Sequence, residues 1–398
     1  MNVTSIEIPK DEFEARRRRL LEQLSGRDVS GVVLFDNYYI LYFTGFAFIP
    51  TERPIAFVLN SDGECALFVP RLEVEHARSK TGFERVDHYV EYPDDPHPMR
   101  VLKQTLIDMK LTRDIAADHA GYPWILGYRG PDISEIMKTR VHHVTGIIED
   151  LMMIKSPNEI GLIRESCKWG NLAHQLLQTY TQPGLTETEV TQRASNEATR
   201  AMLNAIGPIY QANSPFARGA SAGYRGQIGR NAAIPHALAN NITFRVGDVL
   251  VTGASAAMWG YNSELERTMI IGDPSTDQRR MFEHMLAAQD TALRTMAPGK
   301  TCADVDRAVR EYYESHDLMQ FWKHHSGHAI GLRYHEGPFL DIGDTTVLEP
   351  GMVFTVEPGF YAADLGGFRH SDTVLITNEG IELLTYYPRD LESLTIPT

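Results

Sequence analysis

Cysteine is scarce in this chain of 398 residues. Cys65, Cys167 and Cys302 are odd in number and widely spaced, so they form neither a disulfide framework nor a zinc-binding pattern. The sequence also lacks an apolar run of the roughly 18 residues that a membrane span needs. The basic run 16–19 near the start is followed by no apolar signal-peptide core. We therefore expect a protein of the reducing cytoplasm with no membrane partner.

Positive charge is also in short supply, because 38 Lys and Arg stand against 52 Asp and Glu, for a net charge of −14. This balance disfavours nucleic acid and anionic membrane surfaces as partners. A well-solvated acidic surface is the ordinary explanation, and a cationic substrate or a salt-tolerant cytoplasm is the other. The length predicts about two domains.

The first part of the chain alternates helical and strand patterns. A helix is predicted over 11–24 and a buried strand over 31–35. Apolar runs at 55–59 and 65–69 flank Asp62-Gly63, a dipeptide that favours a tight hairpin turn. Further along, Ser156 is suited to cap a helix that starts at Pro157. We therefore predict an α/β domain over 1–153 and a second domain over 154–398.

The second domain contains a weak internal repeat. A helical stretch over 160–181 leads to Pro183-Gly184, and another over 278–296 leads to Pro298-Gly299. Each Pro-Gly is followed by a Thr with an acid three residues on, which is a helix-capping pattern. Asp304 fits the pattern less well than Glu189. Chance is the alternative, but the repeat predicts two similar α+β halves with a cleft between them.

Polar motifs lie on or beside the predicted strands 249–252, 269–271, 352–356 and 373–377. They comprise 247–250, 260–268, His328, Glu357 and 369–372. In this order they resemble the catalytic domain of the aminopeptidase P / prolidase / creatinase superfamily, the pita-bread fold. The resemblance implies an α/β (α+β) protein with a small N-terminal creatinase-like domain before a pseudo-twofold catalytic domain. It covers nearly the whole chain.

Metallopeptidases of that superfamily hold two divalent metals with two Asp, one His and two Glu. The matching positions here read Gly253, Glu264, His328, Glu357 and Ser371, so only the His and one Glu are kept. A two-metal site cannot be built from this set. We therefore expect neither metal nor other cofactor.

Three carboxylates are predicted to cluster. Glu264 and Glu266 are one residue apart and point to the same face of a strand, and the resemblance places Glu357 on a facing strand. Clustered carboxylates raise each other's pKa unless a positive charge lies among them. A planar organic cation, an amidinium or guanidinium, is predicted to supply that charge. The alternative is a solvated strand face paired with Arg267.

The resemblance assigns roles to three histidines. His236 matches a His that shuttles protons in creatinase, a metal-free member, and a neutral His does so readily near pH 7. His328 and His335 match a metal ligand and a substrate-binding residue, and here both are expected to donate hydrogen bonds in the pocket. For each, a structural role is the alternative.

Two further residues are predicted to bind substrate. Arg53 matches an Arg that reaches the substrate carboxylate across the dimer interface of creatinase, so a homodimer is expected. A surface Arg is the alternative. Tyr261, like Trp259, is an aromatic side chain able to stack on a planar cation, with a place in the core as the alternative.

The run 264–268 resembles the ectoine hydrolases, another metal-free group. This resemblance implies metal-independent opening of the cyclic amidine ectoine to N-acetyl-L-2,4-diaminobutyrate. Glu357 and Glu264 would hold the amidinium, Glu266 would act as nucleophile or base, and His236 would pass on the proton. Hydroxyectoine is a possible second substrate, and a downstream deacetylase a possible partner.

Three other functions stay open. The first is guanidinium hydrolysis of the creatinase type. The second is a metal-dependent peptidase or lyase like prolidase, in which Glu264, His328 and Glu357 would make a weak single-metal site. The third is a binding module without catalysis.

Overall fold

The computed structural model describes residues 6–123 and 127–398, which form two compact units. The first unit contains Ile8–Met152 and the second contains Met153–Thr398 together with residues 6 and 7. Among the described residues, the helices are too short or too polar to cross a lipid bilayer.

The first unit is built on a six-stranded mixed sheet with the order β4-β3-β2-β1-β5-β6. β1 pairs antiparallel with β2 and β2 with β3, while β3–β4, β1–β5 and β5–β6 are parallel pairs. The strands are β1 (Gly31–Leu34), β2 (Ala56–Asn60), β3 (Cys65–Pro70), β4 (Arg85–Tyr89), β5 (Ile115–Ala117) and β6 (Val141–His143), and the helices are α1 (Lys10–Leu24), α2 (Asn37–Thr44), α3 (Val74–Thr81), α4 (Pro98–Asp108), α5 (Ile133–Met137) and α6 (Thr145–Met153).

The local predictions for this unit agree with the structure. α1 and β1 lie within a residue or two of the predicted ranges, and β2 and β3 form the predicted antiparallel hairpin. Gly63 takes a φ of 88°, a left-handed conformation that glycine adopts without strain. Alternate strand residues such as Val33, Val58 and Phe68 are fully buried and pack in one core with Leu102 and Leu106 of α4.

The second unit contains two helix pairs that follow the predicted repeat. In each pair a Pro-Gly turn joins the helices, and in the second helix of each pair a Thr forms a complete capping box. Asp304 completes its box, since the Thr301 N–H donates to its Oδ2 at 2.9 Å, so the prediction that it fits less well was wrong. The helices are α7 (Pro157–Tyr180), α8 (Glu187–Ile206), α9 (Thr276–Thr295) and α10 (Cys302–Ser315).

The same backbone hydrogen bonds recur after both Pro-Gly turns. The N–H of Gly184 donates to the carbonyl of Phe244 at 2.9 Å, and the N–H of Gly299 donates to that of Leu348 at 3.0 Å. Isolated β-bridges follow at equivalent places, Thr186 with Thr243 and Thr301 with Val347. The two halves therefore share a backbone scheme as well as a sequence pattern.

The strands of the second unit place the predicted motifs side by side. A five-stranded sheet has the order β12-β11-β13-β16-β17, and its neighbouring strands run antiparallel. A three-stranded sheet has the order β18-β10-β8, and β7–β9 and β14–β15 form two smaller sheets. The strands are β7 (Ala220–Gly223), β8 (Val249–Val251), β9 (Gly253–Ala256), β10 (Thr268–Ile271), β11 (His328–Ala329), β12 (Glu336–Phe339), β13 (Val353–Val356), β14 (Gly359–Ala362), β15 (Gly366–Arg369), β16 (Asp372–Thr377), β17 (Gly380–Leu383) and β18 (Thr395–Ile396).

Candidate active site

A cavity of about 450 Å³ opens in the second unit, where the polar motifs meet. Its volume falls within the range of pockets that take small molecules. The cavity is lined by Ser221, Ala222, Gly223, Arg225, Gly253, Ala254, Ser255, Glu264, Glu266, Tyr334 and His335.

Beside this cavity, Glu264, His328 and Glu357 form a group that we call the donor cluster. One ligand atom from each lies within 4.8 Å of the others. His328 begins β11 and Glu357 directly follows β13, the neighbouring strand. The Glu264 N–H donates to the hydroxyl of Thr373 on β16 at 2.8 Å, which fixes Glu264 to the same sheet. The sheet therefore holds all three donors on rigid backbone, as a reaction centre requires.

The ring of His328 presents one nitrogen to the two carboxylates. Its Nδ1 lies 3.0 Å from the carbonyl oxygen of Ala329, which can only accept, so Nδ1 carries a hydrogen. Its Nε2 lies 3.2 Å from Oε1 of Glu357 but lacks the alignment of a hydrogen bond. A buried nitrogen without a hydrogen-bond partner, facing two carboxylates, has the orientation of a metal-bound histidine.

The charges of the donor cluster are poorly balanced. Burial and the charge of Glu357 raise the pKa of Glu264 to about 8. Burial alone would lower the pKa of His328, but the carboxylates of Glu357 and Glu264 raise it to about 9. Burial would raise the pKa of Glu357, yet His328 and Arg369 hold it below its ordinary value. The cluster thus takes up protons unless another cation replaces them.

On the adjoining wall, Glu266, Arg369 and Arg225 form a second group, the arginine cluster. Arg369 donates from Nη2 to Oε1 of Glu266 at 2.8 Å and from Nε to Oε2. Arg225 donates from Nη2 to the same Oε1 at 2.6 Å. The side chains of Glu266 and Arg369 are each 3% exposed. Both oxygens of Glu266 therefore contact guanidinium groups, and this carboxylate is neutralised within the protein.

At Ser371 and Gly253, where the superfamily has metal ligands, the neighbouring groups belong to the two carboxylates Glu264 and Glu266. The Ser371 hydroxyl donates to Oε1 of Glu264 at 2.7 Å. Its backbone pairs with Glu266 through hydrogen bonds of 3.0 Å in both directions. Next to Gly253, the nearest atom that an added Cβ would meet is Oε1 of Glu266, at 3.7 Å. The residues present do not fit a two-metal centre. The donor cluster has the three ligand atoms of the single-metal alternative, and the expectation of no metal stays a prediction.

The structure brings His335 to the site and leaves His236 at its edge. The ring of His335 stacks on that of His328, with centroids 3.9 Å apart. Burial and the charge of His328 lower the pKa of His335 to about 4, so it is neutral near pH 7. His236 is exposed on a turn and lies close enough for its charge to act on His335. Its predicted role in proton transfer stays a prediction.

The other two predicted binding residues lie elsewhere. The Tyr261 hydroxyl donates to Oε1 of Glu159 at 2.7 Å inside the fold, and Tyr261 is not among the residues that line the cavity. The core alternative therefore describes Tyr261 better than stacking on substrate. Arg53 belongs to the first unit, where its guanidinium contacts Glu91 at 2.6 Å and Glu52 at 2.7 Å. Its role in substrate binding stays a prediction.

Two arginines of the site were not predicted. Arg369 stands in a recognised motif, but 103 residues separate it from Glu266, so the sequence gives no sign of their contact. Arg225 follows β7 in a turn that ends at Gly226, and only that glycine indicates a turn there. The alternative in which Arg267 pairs with the carboxylates was wrong, because Arg267 contacts Asp372 at 2.8 Å.

Known proteins resemble this chain along most of its length. The Xaa-Pro dipeptidase of Pyrococcus horikoshii is 27% identical over 383 residues, which cover 96% of this chain and 99% of that protein. The solved prolidase of the same organism has a TM-score of 0.79 at 25% identity, covering 95% of this chain and 99% of that one. Dipeptidase PepE of Mycobacterium ulcerans has a TM-score of 0.80 at 25% identity, and the match covers 98% of this chain and 100% of that one.

These relatives correct the predicted function. Metal-independent opening of ectoine is contradicted, since the relatives are named Xaa-Pro dipeptidase, prolidase and dipeptidase. The run 264–268 and the loss of two ligands led to that prediction, yet both are local features. The resemblance over the whole chain favours hydrolysis of a C–N bond by a peptidase, the alternative that the sequence left open.

Family signatures cover both units. Creatinase/Prolidase N-terminal domain matches residues 16–151, and Metallopeptidase family M24 matches residues 161–378, more than half of the chain. The predicted superfamily and the α/β pita-bread fold are thereby confirmed. The chain belongs to metallopeptidase family M24, with a creatinase/prolidase N-terminal domain ahead of its catalytic domain.

Proposed function

We propose that this protein hydrolyses the C–N bond of a dipeptide-sized substrate with one divalent cation held by the donor cluster. The observation that carries the proposal is the buried Nε2 of His328, which faces two carboxylates, lies 3.2 Å from one of them and makes no aligned hydrogen bond to any described residue. The peptidase names of the relatives that match 93% or more of the chain support the reaction type.

The donor cluster suits one cation of intermediate hardness. Two carboxylates and one imidazole favour Mn²⁺, Fe²⁺, Co²⁺ or Zn²⁺ over softer ions. When bound, such a cation polarises a carbonyl oxygen and lowers the pKa of a coordinated water. The carbonyl of Ala329 fixes the tautomer of His328, as outer hydrogen bonds do for metal-binding histidines.

The remaining residues of the cavity have roles that follow from their positions. Glu266 faces the cavity but stands outside the donor cluster, so its carboxylate is the group placed to accept a proton from water. The neutral ring of His335 lines the same cavity and can hydrogen-bond a substrate. To His236, which is exposed near His335 outside the lining of the cavity, we assign the return of a proton to the departing nitrogen.

The proposal is tested by hydrolysis of the dipeptide Ala-Pro. Protein stripped with a chelator should be inactive and should regain activity with one equivalent of Mn²⁺ per chain. Glu357→Gln should lose more than about 100-fold in kcat/KM, because removing an outer partner of a metal ligand already costs 10- to 100-fold. Glu349→Gln, an exposed residue just before β13, is the matched control.

Two results would overturn the proposal. One is full activity of the stripped protein without added cation. The other is no hydrolysis of Ala-Pro, Ala-Ala or Gly-Pro by protein that has taken up its cation.

A further inference from the structure

Arg225 lines the cavity with unused hydrogen-bonding capacity. Its side chain is 50% exposed, while that of its partner Glu266 is 3% exposed. Only Nη2 is engaged among the described residues, by Glu266 at 2.6 Å and by Gln227 at 3.2 Å. Its Nε and Nη1 therefore remain for a ligand. Arg369, buried on the other side of Glu266, already contacts both oxygens of that carboxylate.

The backbone at Arg225 adopts a conformation that needs support. Its φ is 50°, in the left-handed region that side chains with a Cβ seldom occupy, and Gly226 follows with a φ of 75°. Non-glycine residues in this region concentrate at binding sites, where the surrounding structure holds them in place. The conformation of Arg225 is therefore of the kind that binding sites retain.

The turn that carries Arg225 is fixed on both sides. The Gly226 N–H donates to Oε1 of Glu187 at 2.6 Å, and Glu187 is 2% exposed. The Tyr224 hydroxyl lies 2.5 Å from that of Thr181. A Cβ at Gly226 would come within 2.1 Å of the Leu238 carbonyl, so this position accepts only glycine. The guanidinium is therefore presented from a rigid support.

From these observations we infer that Arg225 is a specificity-determining residue that binds a carboxylate group of the substrate in this cavity. The free Nη1 of the guanidinium can donate a charge-assisted hydrogen bond to a carboxylate while Nη2 keeps its bond to Glu266. Glu266 stays neutralised meanwhile, because Arg369 makes its own two contacts with it. The inference rests on the proposed function and adds to it: the cleaved molecule carries a free carboxylate, as a dipeptide with an unblocked C-terminus does.

The first test compares Ala-Pro with its C-terminal amide. In the wild-type protein the amide should show a KM roughly 10- to 100-fold higher, which is the loss expected for hydrogen bonds to a charged group. Arg225→Gln should raise the KM for Ala-Pro by a similar factor and leave that for the amide nearly unchanged. Arg225→Lys should lie between the two. Arg230→Gln, an exposed arginine outside the lining of the cavity, is the control.

A second test needs no turnover. Phenylglyoxal modifies accessible guanidinium groups, and peptide mass analysis locates them. Ala-Pro should protect Arg225 from modification, whereas its amide should not, and neither should protect Arg230. If Ala-Pro protects Arg225 but is not cleaved, the inference stands and the proposed function fails. If Ala-Pro is cleaved, but Arg225→Gln leaves its KM unchanged and Ala-Pro does not protect Arg225 in the wild-type protein, the inference fails and the proposed function stands.

Discussion

The donor cluster and the arginine cluster are neighbours that neutralise buried carboxylates in different ways. Glu266 receives its positive charge from Arg369 and Arg225, which belong to the chain. Glu357 lies 3.2 Å from His328 and 3.6 Å from Arg369, whereas Glu264 is neighboured by His328, whose charge depends on a proton. The charge of Glu266 is therefore balanced permanently, whereas that of Glu264 is balanced by a proton that exchanges with solvent.

This difference separates a permanent source of positive charge from one that can change. A guanidinium cannot leave and is not deprotonated in proteins, so Arg369 and Arg225 supply fixed positive charge to the arginine cluster. The donor cluster retains a site whose charge can be a proton or a metal.

The largest effect is expected from His328→Ala, which removes the nitrogen of the donor cluster. Affinity for Mn²⁺ should fall by more than about 100-fold, since even outer-partner losses cost 10- to 100-fold. Isothermal titration of chelator-treated protein measures it. His316→Ala, which changes an exposed histidine at the end of α10 outside the donor cluster, should bind as the wild type does. If His328→Ala bound Mn²⁺ with wild-type affinity, His328 would not be a ligand of the cation.

Raising the pH should strengthen cation binding. The pKa values of about 8 for Glu264 and about 9 for His328 mean that a cation must displace up to two protons below pH 8. Affinity should therefore rise between about tenfold and a hundredfold per pH unit from pH 6 to 8. Titration in two buffers of different ionisation enthalpy counts the protons released. An affinity that is constant or falls over this range contradicts the charge state of the donor cluster.

Arg369→Gln should destabilise the arginine cluster, because it removes a permanent positive charge. It leaves Glu266 with the half-exposed Arg225 and removes the guanidinium that lies 3.6 Å from Glu357, and breaking a buried ion pair in this way costs about 3 kcal/mol of unfolding free energy. Urea unfolding of the protein without cation measures this. Arg164→Gln, which breaks an exposed pair with Glu382, should cost no more than about 1 kcal/mol. Equal losses of unfolding free energy in Arg369→Gln and Arg164→Gln would show that the burial of the Arg369–Glu266 pair does not affect stability.

Ser371→Ala should have the smallest effect. It removes the hydrogen bond of 2.7 Å to Glu264, which favours the charged carboxylate. Affinity for Mn²⁺ at pH 7 should fall about threefold to tenfold. The deficit should shrink at pH 8.5, where Glu264 loses its proton more easily. A deficit that is the same at both values would mean that Ser371 acts through packing.

Local features of this fold were predictable from the sequence, because the interacting groups are close in the chain. Ser156 and Pro157 begin α7 as expected, with Ser156 bonded to Glu159. The prediction for Asp304 was wrong because the side chain of Asp, although shorter than that of Glu, still accepts a hydrogen bond from the backbone N–H of Thr301. Capping and hairpin turns involve three or four residues, so their patterns are visible without a structure.

The site was predicted in part. Its carboxylates and His328 were identified through motif order, but their surroundings depend on contacts between distant residues. Arg225 meets Glu266 across 41 residues, and Tyr261 meets Glu159 across 102. No periodicity or spacing encodes such pairs. The missing ligands suggested that no cation binds, whereas three remaining donors converge once the sheet is formed.

The central claim is that the donor cluster binds one divalent cation. The most direct measurement is titration of the chelator-treated protein with Mn²⁺, in wild type and in Glu357→Gln. The account predicts one Mn²⁺ per chain in wild type and none at the same concentrations in the variant. Two Mn²⁺ per chain, none in wild type, or equal binding by both proteins would contradict it.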